Sequence, residues 1–137
     1  MSVVMKTKTI FGIIVVLLLG GCASMSEREI GVVSGELRPC PSSPNCVLTT
    51  FEYAGIGAEE ALQRILTILE NERRCRIVTV QKEEPFYVHA EFRSFLFRFV
   101  DDVEFLHIPE HERIQVRSAS RVGYHDMGVN AKRVEHL

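Results

Sequence analysis

Phe86-Tyr87-Val88-His89-Ala90-Glu91-Phe92-Arg93 is the stretch that decides the fold. Phe86, Val88, Ala90 and Phe92 occupy every second position, and Tyr87, His89, Glu91 and Arg93 fill the places between. A period of two belongs to an extended strand, whose successive side chains leave on opposite faces. One face is built for a core and the other for a more polar environment, the pattern of an antiparallel sheet.

Neighbouring segments extend the sheet in both directions. Cys75–Gln81 predicts a strand, and Lys82-Glu83-Glu84-Pro85 predicts the turn that joins it to 86–93. Alternation resumes over 99–108, with Phe99, Val103 and Phe105 directed inward. A turn at 109–112, opened by Pro109, leads to Arg113–Ser120, with Ile114 and Val116 inward. Ahead of these strands, Ala58–Asn71 carries Leu62, Ile65, Leu66 and Leu69 at helical spacing, and Glu59 and Glu60 suit the positive end of a helix. A short helix is predicted from about Asp126, which has the chemistry of an N-cap, with Met127, Ala131 and Val134 on its buried face. The expected architecture is α+β: a four-stranded antiparallel meander sheet with one helix before it and one short helix after it, packed on one face. The opposite face is expected to be open to water.

The N-terminal segment reads as an address. Lys6 and Lys8 precede an apolar run over 10–19, and Leu19-Gly20-Gly21-Cys22 follows. Ten apolar residues are half of the ~20 needed to cross a bilayer, so the pattern is that of a secretory signal peptide over residues 1–21. Its end resembles a bacterial lipobox, which implies that Cys22 becomes the first mature residue and carries lipid. Ala23 and Ser24 follow, with no Asp beside Cys22, and by resemblance to enterobacterial sorting rules this favours the outer membrane. Residues 22–38 contain Gly31, Ser34 and Gly35 without clear periodicity and are read as a flexible tether, spanning ~20–24 Å as a coil. Residues 39–137 then form a single domain.

Charge and cysteines narrow the function classes. The 137-residue chain has 46% apolar residues and a net charge of −2, and loss of 1–21 takes Lys6 and Lys8 with it. Nucleic acid is therefore excluded as a broad partner, because phosphate recognition needs excess positive charge. Export places Cys40, Cys46 and Cys75 where disulfides persist. Spacing alone leaves three pairings open. The Pro-stiffened Cys40-Pro41-Ser42-Ser43-Pro44-Asn45-Cys46 favours Cys40–Cys46, which would contribute ~2 kcal/mol by loop entropy. The same spacing is a poor zinc site without a second ligand pair. Cys75 reads as a small core residue.

The candidate site is a polar cluster at one end of the sheet. Asp101 is in phase with Phe99 and Val103 and so falls on the apolar face, where an unpaired carboxylate is costly. Ser118 and Ser120 share that face, and Arg121, Tyr124 and Asp126 are near enough in sequence to supply partners. Asp102 and Glu104 point the other way, and the 109–112 turn sets Glu104 opposite Arg117. The favoured reading is a polar network that closes the core end; the alternative is that Arg121 and the N-terminus of the last helix together hold a small anionic ligand. Ser120, His125 and Asp126 supply the residue types of a hydrolase but no nucleophile-elbow signature. His107 and His111 straddle a turn without a third ligand, so no metal and no cofactor are expected. Phe95-Leu96-Phe97 joins two strands without Gly or Pro, and at least one of its side chains is expected to face outward.

Three stretches carry a resemblance: Pro39-Cys-Pro-Ser-Ser-Pro-Asn-Cys-Val47; Phe92-Arg-Ser94 with Phe99-Val-Asp-Asp-Val-Glu-Phe105; and Val116-Arg-Ser-Ala-Ser-Arg-Val-Gly-Tyr124 with Asp126, Gly128, Asn130 and Arg133-Val-Glu135. They resemble domain-of-unknown-function family 1499 over nearly all of 39–135. The resemblance implies no reaction. It adds Arg93, Asp102, Arg117, Asn130 and Arg133 to Asp101, Ser118, Ser120, Arg121, Tyr124 and Asp126 as motif positions. Leu48-Thr49 and His125 depart from the family's pattern. The expectation is a lipid-anchored envelope protein, a non-enzymatic binding or structural module, held to membrane lipid through Cys22, with an envelope protein or a small anion as the partner of its domain. The alternative is a hydrolase using 118–126.

Overall fold

The computed structural model describes residues 29–137, so the expected signal peptide over 1–21 and the expected lipidation site, Cys22, lie outside the described residues. The chain forms β1 (Val32–Val33), β2 (Glu36–Leu37), β3 (Cys46–Glu52), α1 (Ala58–Asn71), β4 (Cys75–Gln81), β5 (Tyr87–Arg93), β6 (Val100–Ile108), β7 (Arg113–Ser120) and α2 (Val129–His136). A single 3-10 turn, Pro109–His111, joins β6 to β7.

The α+β class and the β4-to-β7 meander are as the alternation predicts, but the sheet has five strands rather than four, in the order β3-β7-β6-β5-β4. β3 was missed by periodicity because Cys-Val-Leu-Thr-Thr-Phe-Glu mixes apolar and polar residues on both phases. Its strand character comes from its partner: all seven of its residues are in antiparallel register with β7, from Cys46 opposite Ala119 to Glu52 opposite Arg113.

Both helices pack on one face. Ala61, Leu62, Ile65 and Leu69 of α1 meet Val88, Ala90, Phe92, Val103, Phe105, Ile114 and Val116 of the sheet, and Val134 of α2 completes the core. The second helix begins at Val129, three residues after the predicted start, and buries Asn130 and Val134. Met127 lies ahead of it in the left-handed region and is exposed, which corrects the expected Met127-Ala131-Val134 face. Phe99 is also exposed, because β6 begins one residue later.

The opposite face is the larger departure. It was expected to be wet, yet His89, Glu91, Asp102, Glu104 and Arg117 on it are all buried. Part of the reason lies in the segment read as a tether. Residues 32–37 form a hairpin whose loop, Ser34-Gly35, has φ of 54° and 85°. Two successive left-handed residues are what a tight two-residue hairpin turn requires. The hairpin lies over β6 and β7: Leu37 is buried and donates its N–H to Gln115 Oε1 at 2.9 Å, and Gly31 N–H bonds Glu104 Oε1 at 2.5 Å.

Candidate functional site: two polar clusters back to back

Asp101 and Asp102 are adjacent on β6, so their carboxylates leave the sheet on opposite faces. Each organises a separate cluster, and the single pocket expected from the sequence is divided between them.

On the helix face, Arg133 of α2 donates to Asp101 Oδ2 at 2.7 Å, to Ser118 Oγ at 3.0 Å and to Asn130 Oδ1 at 2.7 Å. Its guanidinium also lies 4.7 Å from the centre of the Phe92 ring, a cation–π contact. Asn130 is fully buried at the hub. Its amide oxygen accepts from Ser118 Oγ, and its NH2 group reaches Ser120 Oγ at 2.9 Å, Asp126 Oδ2 at 2.8 Å and the Asn45 carbonyl at 3.1 Å. Asp126 accepts the backbone N–H of Gly128 at 2.9 Å and of Asn130 at 2.8 Å. It therefore caps α2 from ahead of the helix. Partial burial would raise its carboxyl, but these N–H groups outweigh it and hold the pKa below the ordinary value. Asp126 thus occupies the helix N-terminus where an anion was expected. The expected partners of Asp101 are likewise corrected: it is Arg133, not Arg121, Tyr124 or Asp126, that pairs with it.

On the opposite face, Arg121 makes a two-point bond to Asp102, with Nε and Nη2 each 2.7 Å from a carboxylate oxygen, and Nη2 also reaches Glu91 Oε1 at 2.5 Å. Arg76 donates to Glu91 Oε2 at 2.8 Å, and Arg93 stands 3.9 Å from the same oxygen. His89 Nε2 and Asp102 Oδ1 share a hydrogen bond of 2.7 Å. Burial alone would raise the Asp102 pKa; the bonds from Arg121 and His89 reverse this and hold it at about 2. The Arg121 guanidinium is held protonated more firmly still by the Asp102 bond. Farther along, the predicted register of Glu104 opposite Arg117 is observed, with Arg117 Nη1 donating to Glu104 Oε2 at 3.0 Å. Tyr87 donates its hydroxyl to Glu104 Oε1 at 2.8 Å. Burial, and then the Glu104 charge, push the Tyr87 phenol well above its ordinary pKa.

Of the candidate residues, Asp101, Ser118, Ser120, Asp126 and Asn130 come together, while Arg93, Arg117 and Arg121 belong to the other face. Tyr124 joins neither cluster; it is exposed and meets His125 edge-on at 4.9 Å. Ser120 Oγ accepts from Asn130, and no bond joins it to His125 among the described residues. Sequence reasoning missed Asn45, whose carbonyl lies in the helix-face cluster, and the part played by His89 and Glu91. Asn45 could have been suspected from its place beside Cys46: the Cys40–Cys46 disulfide holds this loop, with Cα atoms 5.6 Å apart, against the end of β7. Ser120 N–H donates to the Asn45 carbonyl at 3.0 Å.

A third feature is an open groove between α1, α2 and the β3–β7–β6 part of the sheet. It has a volume of about 330 Å³ and is lined by Phe51, Ile65, Ile68, Phe105, Ile114, Val116, Val134, Glu135 and Leu137. Among known proteins, the family model described as "Protein of unknown function (DUF1499)" matches residues 36–137. No curated protein and no solved structure matches the chain.

Proposed function

Since the chain belongs to the DUF1499 family, whose description assigns no reaction, we propose from its sequence and geometry that it is a lipid-anchored envelope module that binds a partner. In this reading acylated Cys22 holds it at the outer membrane, facing the periplasm. The observation that carries the reading is the Cys40–Cys46 bridge, which ties the first loop of the domain to β3 and belongs to an oxidising compartment. The leader ending in Leu-Gly-Gly-Cys22 agrees with it.

Binding is supported over turnover by how the polar groups are arranged. Ser118, Ser120 and Asp126 hydrogen-bond within the cluster that anchors α2, an arrangement that supports a packed core end. The groove, by contrast, is open and apolar, and suits an apolar side chain of an envelope protein. A small anion in the polar cluster would have to displace the Asp126 carboxylate.

Intact-mass analysis of the membrane fraction tests the anchor: the mature chain is expected to start at Cys22 and to carry acyl chains. A mass that lacks them, or that starts upstream, overturns it. Any hydrolytic turnover abolished by Ser120→Ala at unchanged stability overturns the binding reading.

A further inference from the structure

The end of the sheet that carries both polar clusters also carries the most exposed apolar residues of the domain. The β5–β6 loop presents Phe95, Leu96 and Phe97 at 78%, 73% and 68% exposure. Phe99 is half exposed beside them, stacked on Phe97 at 5.5 Å between ring centres. The loop is stapled at its base: Ser94 N–H donates to the Phe99 carbonyl and Phe99 N–H to Ser94 Oγ, both at 2.9 Å. The loop after β7, at the same end, adds exposed Val122, Tyr124 and Met127.

The carboxylates of this end, Glu91, Asp101 and Asp102, are buried and paired, so the charge displayed around the tip is that of arginines. Arg76, Arg93 and Arg121 are answered there by Glu91 and Asp102, which leaves Arg73, Arg74 and Arg98 as the arginines of this end that stand beside the loop without a carboxylate partner among the described residues. Arg74 lies 5.5 Å from the centre of the Phe95 ring, so cation and apolar tip are interleaved. Consecutive exposed apolar side chains with arginines around them match a bilayer, whose acyl boundary takes the first and whose anionic headgroups take the second.

The path of the chain points the same way. Leu37 is followed within three residues by Cys40, bound to Cys46, which pairs with Ala119 near this end. β2 therefore runs toward the end, antiparallel β1 runs away from it, and the polypeptide enters β1 from the tip side.

We propose that the sheet end formed by Phe95, Leu96, Phe97 and their flanking arginines docks onto an anionic leaflet. The inference rests on the envelope reading above only for which membrane is near. Docking would set the sheet upright on the lipid and leave the groove at the side of the domain clear of it.

The chain contains no Trp, so Phe97→Trp gives a single reporter at the tip, and Val33→Trp gives a control on the hairpin loop. The full chain is placed in vesicles of phosphatidylethanolamine and phosphatidylglycerol with brominated acyl chains, and quenching is read on the vesicle-bound fraction. Quenching at position 97 is expected to exceed that at 33 by about twofold or more and to fall when phosphatidylglycerol is omitted. Adding Leu96→Asp is expected to return it to the control level at unchanged circular dichroism. Quenching at 97 no greater than at 33 overturns the proposal, and that is also the outcome if the tip is a protein contact. Loss of the acyl mass on Cys22 would overturn the anchor instead, leaving the quenching comparison intact.

Discussion

Arg117→Met is expected to be among the most damaging single substitutions in the domain. Glu104 and Arg117 side chains are 0% and 3% exposed, and Arg117 is the only cation bonded to Glu104 among the described residues. Methionine keeps the length and apolar stem but leaves the carboxylate with only Tyr87 O–H and Gly31 N–H as donors. Removing one member of a buried pair strands the other charge and costs ~3–5 kcal/mol, a large part of the ~5–15 kcal/mol that holds a domain together. Adding Glu104→Gln removes the stranded charge, while its amide oxygen still accepts from Gly31 and Tyr87. The double variant is therefore expected to recover ~2 kcal/mol or more of that loss. Urea unfolding followed by circular dichroism, with the disulfide oxidised, reads both numbers. With a slope of ~1–3 kcal/mol per M, the single variant's midpoint should fall by ~2 M. A fall below ~0.5 M, or a double variant no more stable than the single, would refute the reasoning.

Three further outcomes follow from the same geometry. Asp102 titrates at about 2 when folded and near its ordinary 3.8 when unfolded, so its contribution, ~2 kcal/mol, is complete above pH 4 and lost as pH falls toward 2. Asp102→Asn is expected to flatten that acid limb in pH-dependent unfolding, and an unchanged limb counts against the Arg121 and His89 bonds. Asn130→Ala empties the hub that joins β7, α2 and the Asn45 loop and is expected to cost ~2–3 kcal/mol in urea unfolding; a loss under ~0.5 kcal/mol contradicts the cluster. Burial, and then Glu72, push the Cys75 thiol up to about 11. At pH 8, iodoacetamide should therefore label it about a hundredfold more slowly in the native protein than in urea, by peptide mass mapping.

The meander was legible because β5, β6 and β7 alternate with a period of two and the turns at 82–85 and 109–112 carry proline, even though the 94–98 loop between β5 and β6 is apolar. The Glu104–Arg117 register was legible for the same reason: one turn at Pro109 fixes every pair beyond it. Alternation says which face a side chain takes but not what lies over that face. Hence alternation does not tell that Glu104 lies under the 32–37 hairpin, or that Glu91 and Asp102 lie under the arginines bonded to them. The candidate site was half legible. Residues inside β6 and β7 were placed by phase, whereas Arg121, Tyr124 and Asp126 follow the last residue of β7, where no period constrains direction. Arg121 therefore turned to the face opposite the one expected, and Tyr124 to solvent. Asn45 and Arg133 are brought in by the disulfide-held loop and by α2, both long-range consequences of packing.

The Cys40–Cys46 bridge also has a mechanical consequence. Tension applied to the chain ahead of residue 29 first meets the hairpin, held by two short strands and by the bonds from Gly31 and Leu37. Peeling it would release ~35–40 Å of slack over residues 29–39. Beyond that the pull crosses sulfur to sulfur from Cys40 to Cys46 and enters β3 directly, bypassing residues 41–45. The Asn45 loop and its hold on Asn130 are thereby shielded from load, and the hairpin acts as a yielding coupling in front of the sheet.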